Sequence, residues 1–202
     1  MPTTARVLLC VAHGGTGGMQ VQVGLLAQAL GDAGCEVTVA CGPGLLAVDE
    51  SAIVRLPDLD ALGTPKVVAA LRGHVARWRP DVVHGHGLRL AAVLAAVARR
   101  RSVVTCHGID PARDRRGPSC ARRVDAVASC GEGPRRVLGT VGLRSRVLDN
   151  AVPAMPAGLA RDEVARRTGV TAAGTLVVSP ARLTEQKDPV TLVRAQGRCR
   201  GR

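Results

Sequence analysis

RVLLCVAHGGTGGMQVQVGLLAQALGDAGCEVTVAC, residues 6–41, contains three elements in order. Residues 6–12 form a short, almost unbroken apolar run. Such a run fits a strand buried on both faces. A glycine-rich loop follows at 14–18. Met19, Val23, Leu26, Leu30 and Ala33 then recur at helical spacing, and Gly34 stands where a helix would end. Val37 and Val39 mark a second strand, closed by Gly42-Pro43-Gly44. Strand, loop, helix and strand within 36 residues read as the first unit of a parallel sheet.

The alternation continues. Ile53–Leu56 reads as a third strand. Thr64-Pro65 reads as a helix start, a cap followed by proline. Val68, Leu71, Val75 and Trp78 form its buried stripe, and Pro80 ends it. Val82–His84 is a fourth strand, and Leu88–Ala98 a helix apolar nearly all round. Ser102–Cys106 and Val124–Ser129 are further strands, with an arginine-rich, loop-like stretch at 111–123 between them. A short helix near 133–141 precedes Val147-Leu148. The fold class is α/β, a Rossmann-like doubly wound parallel sheet with helices on both faces. A first domain over 1–150, a hinge at 151–158 with two prolines and the start of a second domain at 159–202 follow from the pattern. The second part shows a helix near 160–168, a strand at 175–179 and a helix from Pro189. Gln196 to Arg202 has no apolar period, so a packed helix is not expected to continue there.

Composition narrows the classes. The 202 residues are 46% hydrophobic and 22% charged, which excludes a wholly disordered chain. No apolar run approaches the roughly 20 residues of a spanning helix. Arg6 precedes too short an apolar run for a signal peptide, so the expectation is a soluble, cytoplasmic protein. The net charge of +12 comes from arginine, with two lysines in the chain, and it concentrates in residues 102–202. That half suits an anionic substrate or a membrane surface, and equally a solvated face. These readings stay open, peripheral contact with the inner face of a membrane among them. A nucleic-acid partner is disfavoured, because Phe and Tyr are absent and Trp78 stands alone, leaving no stacking platform. The seven cysteines contain no C-x-x-C pair and read as reduced, mostly buried thiols.

In open α/β sheets ligands sit beyond the carboxyl ends of the strands. Four of the five histidines fall there by sequence: His13 after the first strand, His84 and His86 after the fourth, His107 after the fifth. The glycine loop opens the first helix at the same edge, where free backbone N–H groups bind phosphate or carboxylate. The loop lacks the G-K-[ST] ending of a P-loop. A G-x-G-x-x-G pattern would need glycine at Gln20, and no acid follows the second strand, so a dinucleotide enzyme is not indicated. There is no G-x-S-x-G elbow. His84-x-His86 puts two rings on one side of a strand, but no third ligand is evident and no metal is expected.

HGGTGGMQ (13–20), DVVHGHGLR (81–89), VVTCHGID (103–110), DAVASCGEG (125–133), DNAVP (149–153) and SPARLTEQKDP (179–189) occur in that order. Together they resemble the amino-terminal half of a GT-B retaining glycosyltransferase of the family-four type, over roughly residues 5 to 195. The resemblance implies two Rossmann-like domains. The first shapes the acceptor site, and the second binds a nucleotide-diphosphate sugar, with no cofactor. It places Gly15, Gly17 and Gly18 in the glycine loop near acceptor and donor phosphates. It gives His107 a contact with the donor sugar near the reacting centre. Arg182 and Lys187 match the basic pair that grips the diphosphate. His86 and Glu132 join as candidate substrate-binding residues, Glu132 polarising a hydroxyl. Ala151 and Pro153 depart from the glycine and aspartate common in the family. The family's second domain, with an E-x7-E element, would extend well past residue 202. The expectation is therefore a shortened form, with an incomplete second domain and little activity alone. The other class of function left open is a non-catalytic domain that binds an acceptor or a partner subunit.

Overall fold

The computed structural model describes residues 4–11, 17–42, 52–57, 59–98, 101–109, 114–152, 158–170, 176–181 and 183–199. The chain divides into two compact units, Met1–Ala154 and Met155–Arg202.

The first unit is a seven-stranded, all-parallel sheet of order β3-β2-β1-β4-β5-β6-β7. The strands are β1 (Arg6–Val11), β2 (Glu36–Cys41), β3 (Ile53–Arg55), β4 (Val82–His86), β5 (Ser102–Cys106), β6 (Ala126–Ser129) and β7 (Arg146–Val147). The helices are α1 (Gly18–Asp32), α2 (Leu59–Trp78), α3 (Leu90–Val97), α4 (Gly117–Ala121) and α5 (Glu132–Thr140). The chain runs outward from β1 to β2 and β3, then returns to place β4 on the other side of β1. The direction of winding therefore reverses between β1 and β4, where α/β sheets open a ligand crevice.

Alternating strand residues divide the apolar core in two. On one face Val7, Leu9, Val11, Val39 and Cys41 pack against Val23 and Ala27 of α1. On the other, Leu8, Cys10, Val83, Val104 and Cys106 pack against α2 to α5 through Leu71, Leu90, Leu94, Ala121 and Leu138. Gly85 lets α3 close on β4. A Cβ there would stand 3.0 Å from Leu94 Cδ1 and 3.1 Å from Leu90 Cβ. At the end of α1, Gly34 takes φ +85°. The Gly34 and Cys35 amides donate to Gly31 and Leu30 carbonyls, both at 2.9 Å. That is the αL helix stop read from Gly34.

Two aspartates set the amino-terminal edge. Asp81 accepts the Arg6 amide at 2.9 Å, tying β1 to the start of β4. Asp125 accepts from the Ser102 amide at 2.7 Å and from its hydroxyl at 3.1 Å, tying β5 to β6. These bonds hold the Asp125 carboxyl below the usual carboxylate range.

Several sequence expectations are corrected. Helix α2 begins at Leu59, and Pro65 lies inside it. Pro65 removes one bond, to the carbonyl of Ala61, but the turn before it still forms. The 111–123 stretch contains the short helix α4. Gly117 packs on Leu88, leaving 2.7 Å between its would-be Cβ and Leu88 Cγ. His86 also lies on β4, because the strand runs two residues beyond His84, where it was expected to end.

In the second unit, α6 (Arg161–Thr168) buries no residue. Glu163 pairs with Arg166 and with Arg167, the latter at 2.6 Å, and Gly169 ends the helix at φ +70°. A 3-10 turn, Glu185–Lys187, leads into α7 (Pro189–Cys199). Asp188 caps α7 by accepting the Thr191 amide at 3.1 Å, with Pro189 at the first helical position. The expected strand at 175–179 does not form over its described residues, 176–179. No other strand occurs in this unit among the described residues, so a strand there would leave its backbone groups unpaired. Val177 and Val178 are exposed. Helix α7 runs to Cys199, and its residues 190–197 are exposed, so what continues into the tail is an unpacked helix, in keeping with the missing apolar period.

Candidate functional site

Beside the reversal of winding, β4 and β5 carry a strip of polar side chains on the face that α1 shares. His84 and His86 are two residues apart on β4, so their rings lie on one side, with centroids 4.3 Å apart. His84 pairs across to β5, its Nε2 lying 2.7 Å from Thr105 Oγ1. His107 follows β5 directly. Its Nε2 lies 3.0 Å from His86 Nδ1, and the two rings stack at 5.3 Å.

These four residues line a cavity of about 240 Å³. Leu25, Leu26, Ala29 and Gln22 of α1 form one wall, and residues 148–151, after β7, form another. Gln22 fixes that second wall. Its side-chain carbonyl accepts the Ala151 amide at 2.8 Å, and its NH₂ donates to the Ala151 carbonyl. The cavity is below the roughly 300–1,000 Å³ of a drug-sized pocket. It suits a single ring or short chain with hydroxyls, having apolar sides and hydrogen-bonding groups along its floor.

Burial keeps the imidazoles neutral. The His84 pKa falls to about 4, through burial first and then the charge of His107. His86, 3% exposed, is held well below the ordinary histidine range by burial and then by its two neighbours. Burial lowers His107 as well. Two neutral rings joined by one N···N bond share a single proton in that bond. Nε2 of His86 is buried with no hydrogen-bond partner. Among the described residues, no group of three or more His, Cys, Asp or Glu side chains is placed to hold a metal ion. Of the cysteines near this edge, Cys41 and Cys106 are buried thiols and Cys130 is half-buried. Cys106, pushed up to about 11 by burial, donates to the Gly108 carbonyl.

The other residues singled out by sequence divide as follows. His86 and His107 come together in the cavity. Gly17 precedes α1 with extended backbone, and Gly18 is its first residue. A Cβ on Gly17 would meet Gln20 Oε1 at 3.2 Å, while one on Gly18 meets nothing within 4 Å. His13 and Gly15 lie outside the described residues, as does Arg182. Glu132 begins α5 and pairs with Arg135 at 2.8 Å; it is not among the cavity's lining residues. Lys187 ends the exposed 3-10 turn of the second unit. Sequence reading missed Thr105, Gln22 and the wall at 148–151. Thr105 had a signal, since it stands two residues before His107 on the same side of the chain. Gln22 had none, because its partner is Ala151, 129 residues away.

A family model described as Glycosyltransferase Family 4 matches residues 16–154, more than half of the chain. No curated protein matches significantly. Solved structures with a similar fold include MurG from Acinetobacter baumannii, at 12% identity and TM-score 0.52, covering 72% of this chain and 45% of that one. The lipopolysaccharide outer core galactosyltransferase WaaB matches at 11% identity and TM-score 0.53, covering 68% and 43%. The chain thus spans under half the length of these proteins. Identity at this level shows the fold alone, a Rossmann-like parallel α/β sheet similar to those of GT-B glycosyltransferases. No helix among the described residues is long and apolar enough to cross a membrane. With the family model covering the end of the glycine loop, the histidine strip and the wall after β7, the chain belongs to Glycosyltransferase Family 4.

Proposed function

We propose that the whole protein transfers a sugar from a nucleotide-diphosphate sugar to an acceptor hydroxyl with retention, and that the Met1–Ala154 unit forms the acceptor side. The observation that carries this reading is the cavity over β4 and β5, floored by His84, His86, Thr105 and His107, in a chain of this family. In the reaction the acceptor oxygen bonds to the anomeric carbon. The bond from that carbon to the diphosphate oxygen breaks, the diphosphate leaves with the electron pair, and the hydroxyl proton is released.

The leaving diphosphate gains negative charge in the transition state, so fixed cations aimed at it lower the barrier. Arg182 and Lys187 are proposed for that role. Gly15, Gly17 and Gly18 are proposed to let substrate phosphates approach the N-terminus of α1, where backbone N–H groups favour anions. His107 is proposed to contact the donor sugar. Glu132 is proposed as a further substrate contact once its ion pair with Arg135 opens, and His86, 3% exposed, is proposed to take part in substrate binding through His107.

The test is NMR of the 202-residue chain labelled with ¹⁵N-histidine. UDP- and GDP-sugars and a panel of sugars and polyols are titrated separately, and any product anomer is identified. Shifts of His86 and His107 by a nucleotide sugar, and a product with the donor's anomeric configuration, support the reading. An inverted product overturns retention. Binding of polyols alone, with no nucleotide sugar bound, favours a non-catalytic acceptor-binding domain. No binding by any of them overturns the reading for this chain.

A further inference from the structure

The bond between His86 Nδ1 and His107 Nε2 can carry its proton on either nitrogen, and the surroundings of His86 choose between them. If His107 Nε2 held the proton, His86 Nδ1 would accept it. His86 would then be protonated on Nε2, a buried N–H with no partner. If His86 Nδ1 holds the proton, Nε2 of His86 is only a buried acceptor without a partner. Buried N–H groups left unpaired are the rarer and costlier case. We propose that His86 is a positioning residue that locks His107 as its Nδ1–H tautomer, so that His107 offers the groove a hydrogen-bond donor rather than a base.

The arrangement rests on geometry. The two nitrogens are 3.0 Å apart and the rings stack. His86 is almost wholly buried, so water cannot satisfy its outer nitrogen. The neutrality of both rings, held by burial, leaves one proton for the shared bond. A ligand meeting His107 Nδ1–H must therefore bring an acceptor oxygen, from a hydroxyl or from a phosphoryl group. This ligand class deepens the glycosyl-transfer reading and rests on it; the tautomer itself does not.

The experiment is a long-range ¹H–¹⁵N correlation spectrum of the ligand-free 202-residue chain at neutral pH. It distinguishes protonated from unprotonated ring nitrogens directly. The expected result is a protonated Nδ1 and a bare Nε2 on both His86 and His107. The reverse pattern on His107 overturns the proposal. In His86→Leu, which fills the site but cannot donate, the His107 tautomer relaxes toward a mixture. In His86→Asn the amide nitrogen lies near the former Nδ1 and restores the Nδ1–H form. Failure of Asn to restore what Leu abolishes, in two variants that both keep the wild-type backbone spectrum, also overturns it. Should Leu unfold the chain, the wild-type tautomer and the Asn variant still decide.

Glucose and inorganic phosphate are then titrated separately. A shift of the His107 Nδ1–H signal with glucose identifies a hydroxyl acceptor, and with phosphate a phosphoryl one. No shift with either overturns the ligand class while leaving the tautomer standing. Correct tautomers with no nucleotide-sugar binding count against the transfer reading alone.

Discussion

The two faces of the Met1–Ala154 sheet are built differently. On one, α2 to α5 lay apolar side chains over every strand from β2 to β6, and Leu8, Leu71, Leu90, Leu94 and Leu138 are fully buried. On the other, α1 covers β1 and β2 with Val23 and Ala27, while β4 and β5 present His84, His86 and Thr105 to a cavity. The same strands supply both faces, since neighbouring residues alternate sides. His84, Gly85 and His86 thus put polar rings on one side and, on the other, a bare backbone on which α3 rests. One face is packed with apolar side chains, and the other turns polar over β4 and β5, where it lines the cavity. The candidate site lies where the sheet has not been filled by its own helices.

The sharpest way to break this comparison is to damage the filled face. Leu94 is wholly buried and closes on Gly85. Leu94→Ala removes transfer energy and leaves a cavity, so a loss of about 2–5 kcal/mol is expected. Urea denaturation measures it. If the contrast holds, the folded fraction of Leu94→Ala retains the wild-type His86–His107 tautomer. A disturbed tautomer would mean that the faces are mechanically coupled.

Acid tests the polar face, and the sign follows from the direction of the shifts. His84 titrates at about 4 when folded and near 6.5 when unfolded. Between those values the unfolded chain binds more protons, so stability rises with pH. Its contribution is fully present above about pH 6.5 and is lost as pH falls toward about 4. At pH 4.5 the loss from His84 reaches about 2–3 kcal/mol relative to pH 7.5. His86 and His107 shift in the same direction. Asp125, with its pKa lowered, contributes to acid loss below that window. The check is a set of urea midpoints from pH 7.5 to 4.5. His84→Gln should flatten the curve by its own share, and an unchanged slope would remove His84 as its source.

Much of this contrast was legible in the sequence. The run 6–12, the Gly34 stop and the alternation of elements point to a parallel α/β sheet, because each signal is local. His84-x-His86 reads as two rings on one side of a strand for the same reason. Less legible were features made by distant partners. Pro65 looks like a helix start because its chemistry favours the first turn, yet α2 begins at Leu59. Residues 176–179 have strand composition but no neighbour to pair with in their unit among the described residues. The hydrogen bond between His86 and His107 spans 21 residues and depends on β4 pairing with β5 in one register.

A subtler break adds rather than removes volume. Gly85→Ala places a methyl 3.0 Å from Leu94 Cδ1 and 3.1 Å from Leu90 Cβ. Leu94 can turn its tip, but the Cβ of Leu90 moves only with α3. A loss of about 1–3 kcal/mol is expected. Because Gly85 lies between the two histidines, a displaced strand would also shift their rings. Unperturbed His84 and His86 signals would show that α3, not β4, yields.

The smallest expected effect concerns the wall after β7. Gln22 holds Ala151 by two hydrogen bonds, on an exposed part of α1. Exposure lets water replace them, so Gln22→Ala should cost no more than about 1 kcal/mol. Locally the consequence is larger, because the Ala151 amide loses its acceptor and the wall is freed to open. Hydrogen exchange at Ala151 should speed up, while amides in β1 and β4 keep their protection. Any ligand that uses the groove should then bind more weakly in Gln22→Ala with little change in global stability. Faster exchange in β1 and β4 as well would mean that this wall helps hold the sheet together, and the division of labour between the two faces would have to be redrawn.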